Sequence, residues 1–259
     1  LQRYDAERIS FGIRDIRWDA DKGFFLNGKS VKIKGTCNHQ DHAGVGAALP
    51  DRLQWYRVGV LKDMGGNAVR TSHNMPTPEW VEACDRLGMM MMCETRLMSS
   101  NPEGMAQLEA MVKRYRNSPS IILWSMGNEE WTMMPQPQGV RVIDDMIART
   151  HELDPTRLCT AAVNAAFDTK FPEQLDVMGF NYNLKAPDDW HKAHPKVPSV
   201  GSETASTVAT RGIYVTDKLR NWVSAYDVNH PEWAENAEEW WPFYAKREWL
   251  SGGLSLIHI

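Results

Sequence analysis

The sequence predicts an α/β chain, a (β/α)8 barrel lacking its eighth strand. Three observations carry that expectation. From Val31 onward, short runs rich in β-branched and apolar residues alternate with stretches of helical periodicity. Most of the short runs end in polar or charged residues, as barrel strands do at the face where chemistry is done. The chain has 259 residues, close to the roughly 250 that one such barrel needs.

Taken in order, Ile9 to Trp18 alternates like a half-buried strand, and Phe24 to Lys29 reads as a hairpin around the Asn27-Gly28 turn. The first barrel strand is expected at Val31 to Gly35, running toward His39. A helix from Leu53 to Met64 follows, closed by Gly65-Gly66. Asn67 to Arg70 is the second strand, ending at Ser72-His73-Asn74, and Pro76 to Leu87 the next helix, with Gly88 after it. Met89 to Cys93 is the third strand, ending at Glu94, and Glu103 to Arg116 the third helix, broken by Asn117-Ser118-Pro119. Ile121 to Trp124 is a buried fourth strand that delivers Gly127-Asn128-Glu129. Beyond it come a helix from Gly139 to Leu153 and strands at Leu158 to Val163, Leu175 to Phe180 and Pro198 to Gly201. The last delivers Ser202-Glu203. Helices are expected from Thr216 to Tyr226 and from Trp233 to Leu250. That makes seven strands, one short of closure, which would leave two unpaired edges and a poorly stable fold.

Composition narrows the function. The chain is 42% hydrophobic and 24% charged, with a net charge of -4, which gives no footprint for nucleic acid or an anionic membrane. No run approaches the roughly 18 apolar residues of a membrane span. The cysteines at 37, 84, 93 and 159 show no CxxC pairing and read as buried free thiols. Most of the 11 tryptophans are expected in the core, although exposed ones suit sugar rings. Phosphate-cradling, zinc-protease and serine-hydrolase motifs are absent.

Glu129 and Glu203 end different strands of one barrel, so their carboxyls can share one pocket. Hydrolysis of a glycosidic bond with retention needs such a pair. Trp124-Ser125-Met126-Gly127-Asn128-Glu129 closely resembles the W-S-x-G-N-E acid/base signature of glycoside hydrolase family 2, the β-galactosidase and β-glucuronidase family. Asn67 to His73 resembles its N-A-V-R-x-S-H segment, Lys34 to Asp41 its K-G-x-N-x-H segment, and Val200 to Ala205 its nucleophile segment.

The resemblance implies a retaining β-glycosidase, with β-D-galactosides as first substrate and β-glucuronides or β-mannosides as alternatives. A sugar-binding barrel without catalysis, or an inactive fragment, is the reading from another class. Glu129 would be acid/base and Glu203 nucleophile. Asn128, His39 and His73 would contact sugar, Tyr182 would hold Glu203, and Arg70 would brace one of the two glutamates. In metal-dependent members a Glu-x-His at Glu94-Thr95-Arg96 helps coordinate Mg²⁺. Arginine has no acceptor for a metal, so no cofactor is expected, and Arg96 is expected to pair with Glu94 instead. Phe11 to Arg14 and Phe24 to Lys29 resemble the junction after an immunoglobulin-like β-sandwich, placing residues 1–19 as its last strand and 20–253 as the barrel. Residues 254–259 read as a cloning or sequencing scar. The expected partner is a carbohydrate. Homo-oligomerisation of a longer parent and its compartment stay open.

Overall fold

The computed structural model describes residues 9–226 and 228–256. Residues 1–8 of the first predicted segment and 257–259 of the predicted tail lie outside the described residues. The strands are β1 (Ile16–Asp19), β2 (Gly23–Leu26), β3 (Lys29–Ser30), β4 (Ile33–Asn38), β5 (Ala68–Thr71), β6 (Met90–Glu94), β7 (Ile121–Asn128), β8 (Cys159–Val163), β9 (Met178–Asn181), β10 (Ser199–Glu203) and β11 (Leu250–Leu256). The helices are α1 (Asp51–Asp63), α2 (Pro78–Leu87), α3 (Pro102–Tyr115), α4 (Pro137–Leu153), α5 (Ala186–Ala193) and α6 (Ala237–Ala245).

Strands β4 to β11 close a barrel in the order β10-β11-β4-β5-β6-β7-β8-β9, with parallel pairing throughout. Alternation along β6 shows how the sequence builds two layers. Met90 and Met92 point into the barrel with Ile33, Ile122, Val200 and Leu254, while Met91 and Cys93 pack outward against the helices. The helices start where short polar side chains satisfy free backbone N–H groups. Thr77 accepts from Trp80 N at α2, and Asn101 from Gly104 N at α3. Asn236 and Glu239 form a reciprocal capping box at α6.

The hairpin around Asn27-Gly28 forms as expected, and β1, β2 and β3 make a small antiparallel sheet below the barrel. Its Phe24 enters the barrel interior, 1% exposed, with the Trp18 ring 4.7 Å away.

Four expectations are corrected. The barrel does not lack a strand: β11 pairs with β10 on one side and β4 on the other, so no edge is left open. The pair Gly252-Gly253 lies within that strand at a place of close packing. At Gly252 (φ +108) a Cβ would lie 2.1 Å from Ile33 O. Residues 254–256 are part of that strand, and Leu254 is 1% exposed. The predicted helix from Thr216 to Tyr226 does not form. Asp217 accepts from Leu219 N and Arg220 N, and Asn221 adopts φ +54, so local side-chain bonds draw the backbone into turns. The predicted helix from Trp233 to Leu250 shortens to α6, since its capping box sets the start and β11 takes Leu250.

Candidate active site

Every predicted site residue lies at, or just beyond, the C-terminal end of a barrel strand. His39 follows β4, Arg70 lies in β5 and His73 follows it, Glu94 ends β6 and Asn128 ends β7 with Glu129 next. Tyr182 follows β9 and Glu203 ends β10.

Arg70 is the hub. Its side chain is fully buried, and its guanidinium reaches three elements. Nε donates to Glu94 Oε2 at 2.8 Å, Nη1 to Glu203 Oε2 at 2.7 Å and Nη2 to Asn128 Oδ1 at 2.7 Å. One cation thereby fixes three functional groups, using the planar fork that lysine lacks. Of the two glutamates it was expected to brace, it holds Glu203.

Glu94 is fully buried, with Oε1 at 2.7 Å from His73 Nδ1 and Oε2 accepting from Ser125 Oγ at 2.7 Å. Burial alone would push its carboxyl up, but the Arg70 charge, His73 and Ser125 outweigh it and hold it below its ordinary value. The expected Arg96–Glu94 pair is therefore wrong. Arg96 is exposed, and the cation that neutralises Glu94 is Arg70. A proton on His73 Nδ1 serves the Glu94 bond and turns Nε2 toward Glu203, 3.9 Å away. The His39 ring stands edge-on to that of His73, at 5.3 Å.

Asn181 joins the two predicted carboxylates. Its Oδ1 accepts from Ser202 Oγ at 2.7 Å, which fixes the amide orientation. Its Nδ2 then lies 2.6 Å from Glu129 Oε1 and 3.5 Å from Glu203 Oε2, so the two oxygens are separated by at most about 6.1 Å. Sequence reasoning passed over Asn181 and Ser125. The sole signal for Asn181 was its place at a strand end in Asn181-Tyr182-Asn183.

The two glutamates differ in environment. Glu203 is 4% exposed and held through both oxygens, by Arg70 at Oε2 and by the Tyr182 hydroxyl at Oε1. Burial, followed by the charge of Glu203, raises the Tyr182 phenol and keeps it a donor. Burial also raises Glu129 above its ordinary value. The Asn181 bond opposes that rise, and the Glu203 charge adds to it. Glu129 and Tyr182 both sit at positive φ, +51 and +54, where non-glycine residues are strained and functional sites concentrate. They open onto a cleft of about 580 Å³ that Asn164, Trp233 and Glu235 also line, with Trp233 edge-on to Tyr182 at 4.8 Å.

A family model described as "Glycosyl hydrolases family 2, TIM barrel domain" matches residues 19–216. The chain belongs to glycosyl hydrolase family 2. Among its relatives, a putative β-glucuronidase of Formosa agariphila is 33% identical over 224 residues, covering 82% of this chain and 20% of the relative. A β-galactosidase of Bacteroides ovatus is 29% identical, covering 96% of the chain and 36% of the relative. A solved family 2 member from Bacteroides cellulosilyticus shares 32% identity with a TM-score of 0.79, over 97% of this chain and 31% of that one. A β-glycosidase structure from Bacteroides vulgatus superposes with a TM-score of 0.83 at 28% identity, over 98% of this chain and 38% of that one. The chain thus spans about a fifth to two fifths of the length of these relatives.

The metal of some family members does not fit here. Both Glu94 oxygens are engaged by His73, Arg70 and Ser125, and a guanidinium already supplies the positive charge. At the opposite end of the barrel His151, Cys159 and Asp176 offer ligand atoms within 4.8 Å of one another. There Asp176 is already bound by His151 Nε2 and by the Cys159 backbone N–H, each at 2.8 Å, and burial holds the thiol protonated. Among the described residues, no helix is long and apolar enough to cross a membrane.

Proposed function

We propose that this barrel hydrolyses terminal β-linked sugars with retention, with Glu203 as nucleophile and Glu129 as acid and then base. One observation carries the proposal: both carboxylates stand on a single amide nitrogen, Asn181 Nδ2. The separation this allows suits the roughly 5–5.5 Å of retaining enzymes and falls short of the roughly 6.5–9.5 Å that an inverting enzyme needs for its water.

In the first step, Glu129 gives its proton to the glycosidic oxygen as Glu203 attacks the anomeric carbon. The leaving group departs as an alcohol, and an ester links sugar and Glu203. In the second step, Glu129, now a carboxylate, takes a proton from water as that water displaces Glu203. The raised Glu129 suits the first step. Esterification removes the Glu203 charge that helps to raise it, which suits the second. Asn128 has its oxygen occupied by Arg70, so its NH₂ is left to meet the sugar 2-hydroxyl. No step requires a metal at Glu94.

β-D-Galactosides are the first substrate of this proposal. β-Glucuronides are the second, because a relative 33% identical is named a putative β-glucuronidase. The test is Glu129→Ala on nitrophenyl glycosides. Substrates whose leaving group needs protonation should slow by about 10²–10⁴-fold while activated ones slow little, and azide should restore turnover as a β-glycosyl azide. An α-glycosyl azide would show the pair to be misassigned.

A further inference from the structure

Asn181 and Ser202 stand on the neighbouring strands β9 and β10, and both are fully buried. The Asn181 amide nitrogen has two hydrogens and faces three acceptors: Glu129 Oε1 at 2.6 Å, Asn128 Oδ1 at 3.1 Å and Glu203 Oε2 at 3.5 Å. The two nearer acceptors take them. Asn181 therefore serves Glu129 more than Glu203, which Arg70 and Tyr182 already hold. What keeps the nitrogen on this side is Ser202, whose hydroxyl donates to Asn181 Oδ1 at 2.7 Å. Room for that hydroxyl comes from Gly179 of β9, where a Cβ would lie 3.0 Å from Ser202 Oγ.

A held amide decides where the proton of Glu129 can sit. The Asn181 N–H points at Oε1, so a proton on Oε1 would meet another donor, and it belongs on Oε2 instead. A turned amide would reverse this. Its Oδ1 would accept from a protonated Oε1, favouring the neutral acid with the proton aimed at the protein rather than at substrate. We propose that Ser202 and Asn181 act together as positioning residues, a hydroxyl–amide lock that confines the transferable proton of Glu129 to Oε2. The inference rests on Glu129 as the acid/base.

Titration and turnover separate the lock from the hydrolytic reading. In protein carrying ¹³C at its glutamate carboxyls, Glu129→Gln identifies the Glu129 resonance by deleting it. Ser202→Ala frees the amide and Asn181→Leu removes it, so each should move the Glu129 titration to higher pH, because a donor favours the charged form. Ser202→Ala added to Asn181→Leu should move it no further, since Ser202 acts through Asn181. In turnover, each single variant should slow alkyl β-glycosides by about 10–100-fold, the worth of one hydrogen bond to a charged group, and spare activated dinitrophenyl ones. Should Asn181→Leu fail to fold, Ser202→Ala, smaller by a single atom, still decides. A titration unmoved or lowered in Ser202→Ala, or equal slowing of both substrates, would overturn the lock while leaving the role of Glu129 intact. If Glu129→Ala itself slowed both substrates equally, the acid/base assignment would fall, and the lock with it.

Discussion

The barrel has a buried arginine at each end, and the two have opposite employment. At the N-terminal end Arg157 donates to the backbone carbonyls of Ile121, Arg116 and Ser118 and to Asp154, which also accepts from Trp124 Nε1. Its partners are mostly backbone acceptors at strand and helix ends, where carbonyls lack a partner within their own element. At the C-terminal end Arg70 donates chiefly to the side chains of Glu94, Glu203 and Asn128. The same residue type serves as a backbone staple below and as a positioning device above. Burial and ion pairing alone do not distinguish the two. The partner list does.

The largest expected effect tests that contrast. Arg70→Met strands two carboxylates and should cost about 3–5 kcal/mol in urea unfolding. It should also lower kcat per folded molecule at least about 10²-fold, because Glu203 and Asn128 lose their alignment. Arg157→Met should lower stability by a similar ~3–5 kcal/mol with kcat per folded molecule unchanged. Equal losses of kcat in the two variants would erase the distinction.

A smaller effect sharpens it through pH. Glu94 lies below its ordinary value of 4.5, so the folded protein favours its charged form. That stability is present above the ordinary value and lost as pH falls through the lowered one. Glu129 lies above 4.5, so its contribution is full below the ordinary value and lost as pH rises through the raised one. At pH 7, Glu94→Gln should therefore lower Tm and Glu129→Gln should raise it, and both differences should shrink in acid. A fall in Tm for Glu129→Gln at pH 7 would contradict the environment described for it. The smallest expected effect is none: EDTA should leave turnover intact, since Arg70 holds the position of charge beside Glu94. Loss on chelation, restored by Mg²⁺, would refute this.

Much of this was legible in the sequence because barrel strands end in the residues that do the work. Glu129 could be found from the strand before it and the motif around it. Other features hid because they depend on partners distant in sequence. Arg96 stands two residues from Glu94, yet the cation that pairs with Glu94 comes from the neighbouring strand, at Arg70. Asn181 looks like a turn residue until β9 is placed beside β10. The close approach at Gly252 shows only in the packed barrel, where Ile33 leaves no room for a side chain. The Thr216 to Tyr226 segment was misread for the opposite reason. Its outcome is set by short polar bonds at Asp217 that a search for apolar periodicity does not weigh.

Closure by β11 has a consequence for biosynthesis. β4 is made early but meets its second neighbour only when Leu250 to Leu256 has been made. At about 5–20 residues per second, the roughly 210 residues between them hold that edge open for about 10–40 s. The edge of β10 waits for fewer than 50 residues. An open parallel edge is a template for wrong pairing, and lysines are a common guard against it. Lys32 and Lys34 flank the buried Ile33 on the early strand, and Lys34 remains exposed in the closed barrel. Lys34→Val should therefore leave Tm nearly unchanged while lowering the soluble yield from cell-free synthesis. An unchanged yield would mean that the waiting edge is protected by some other means.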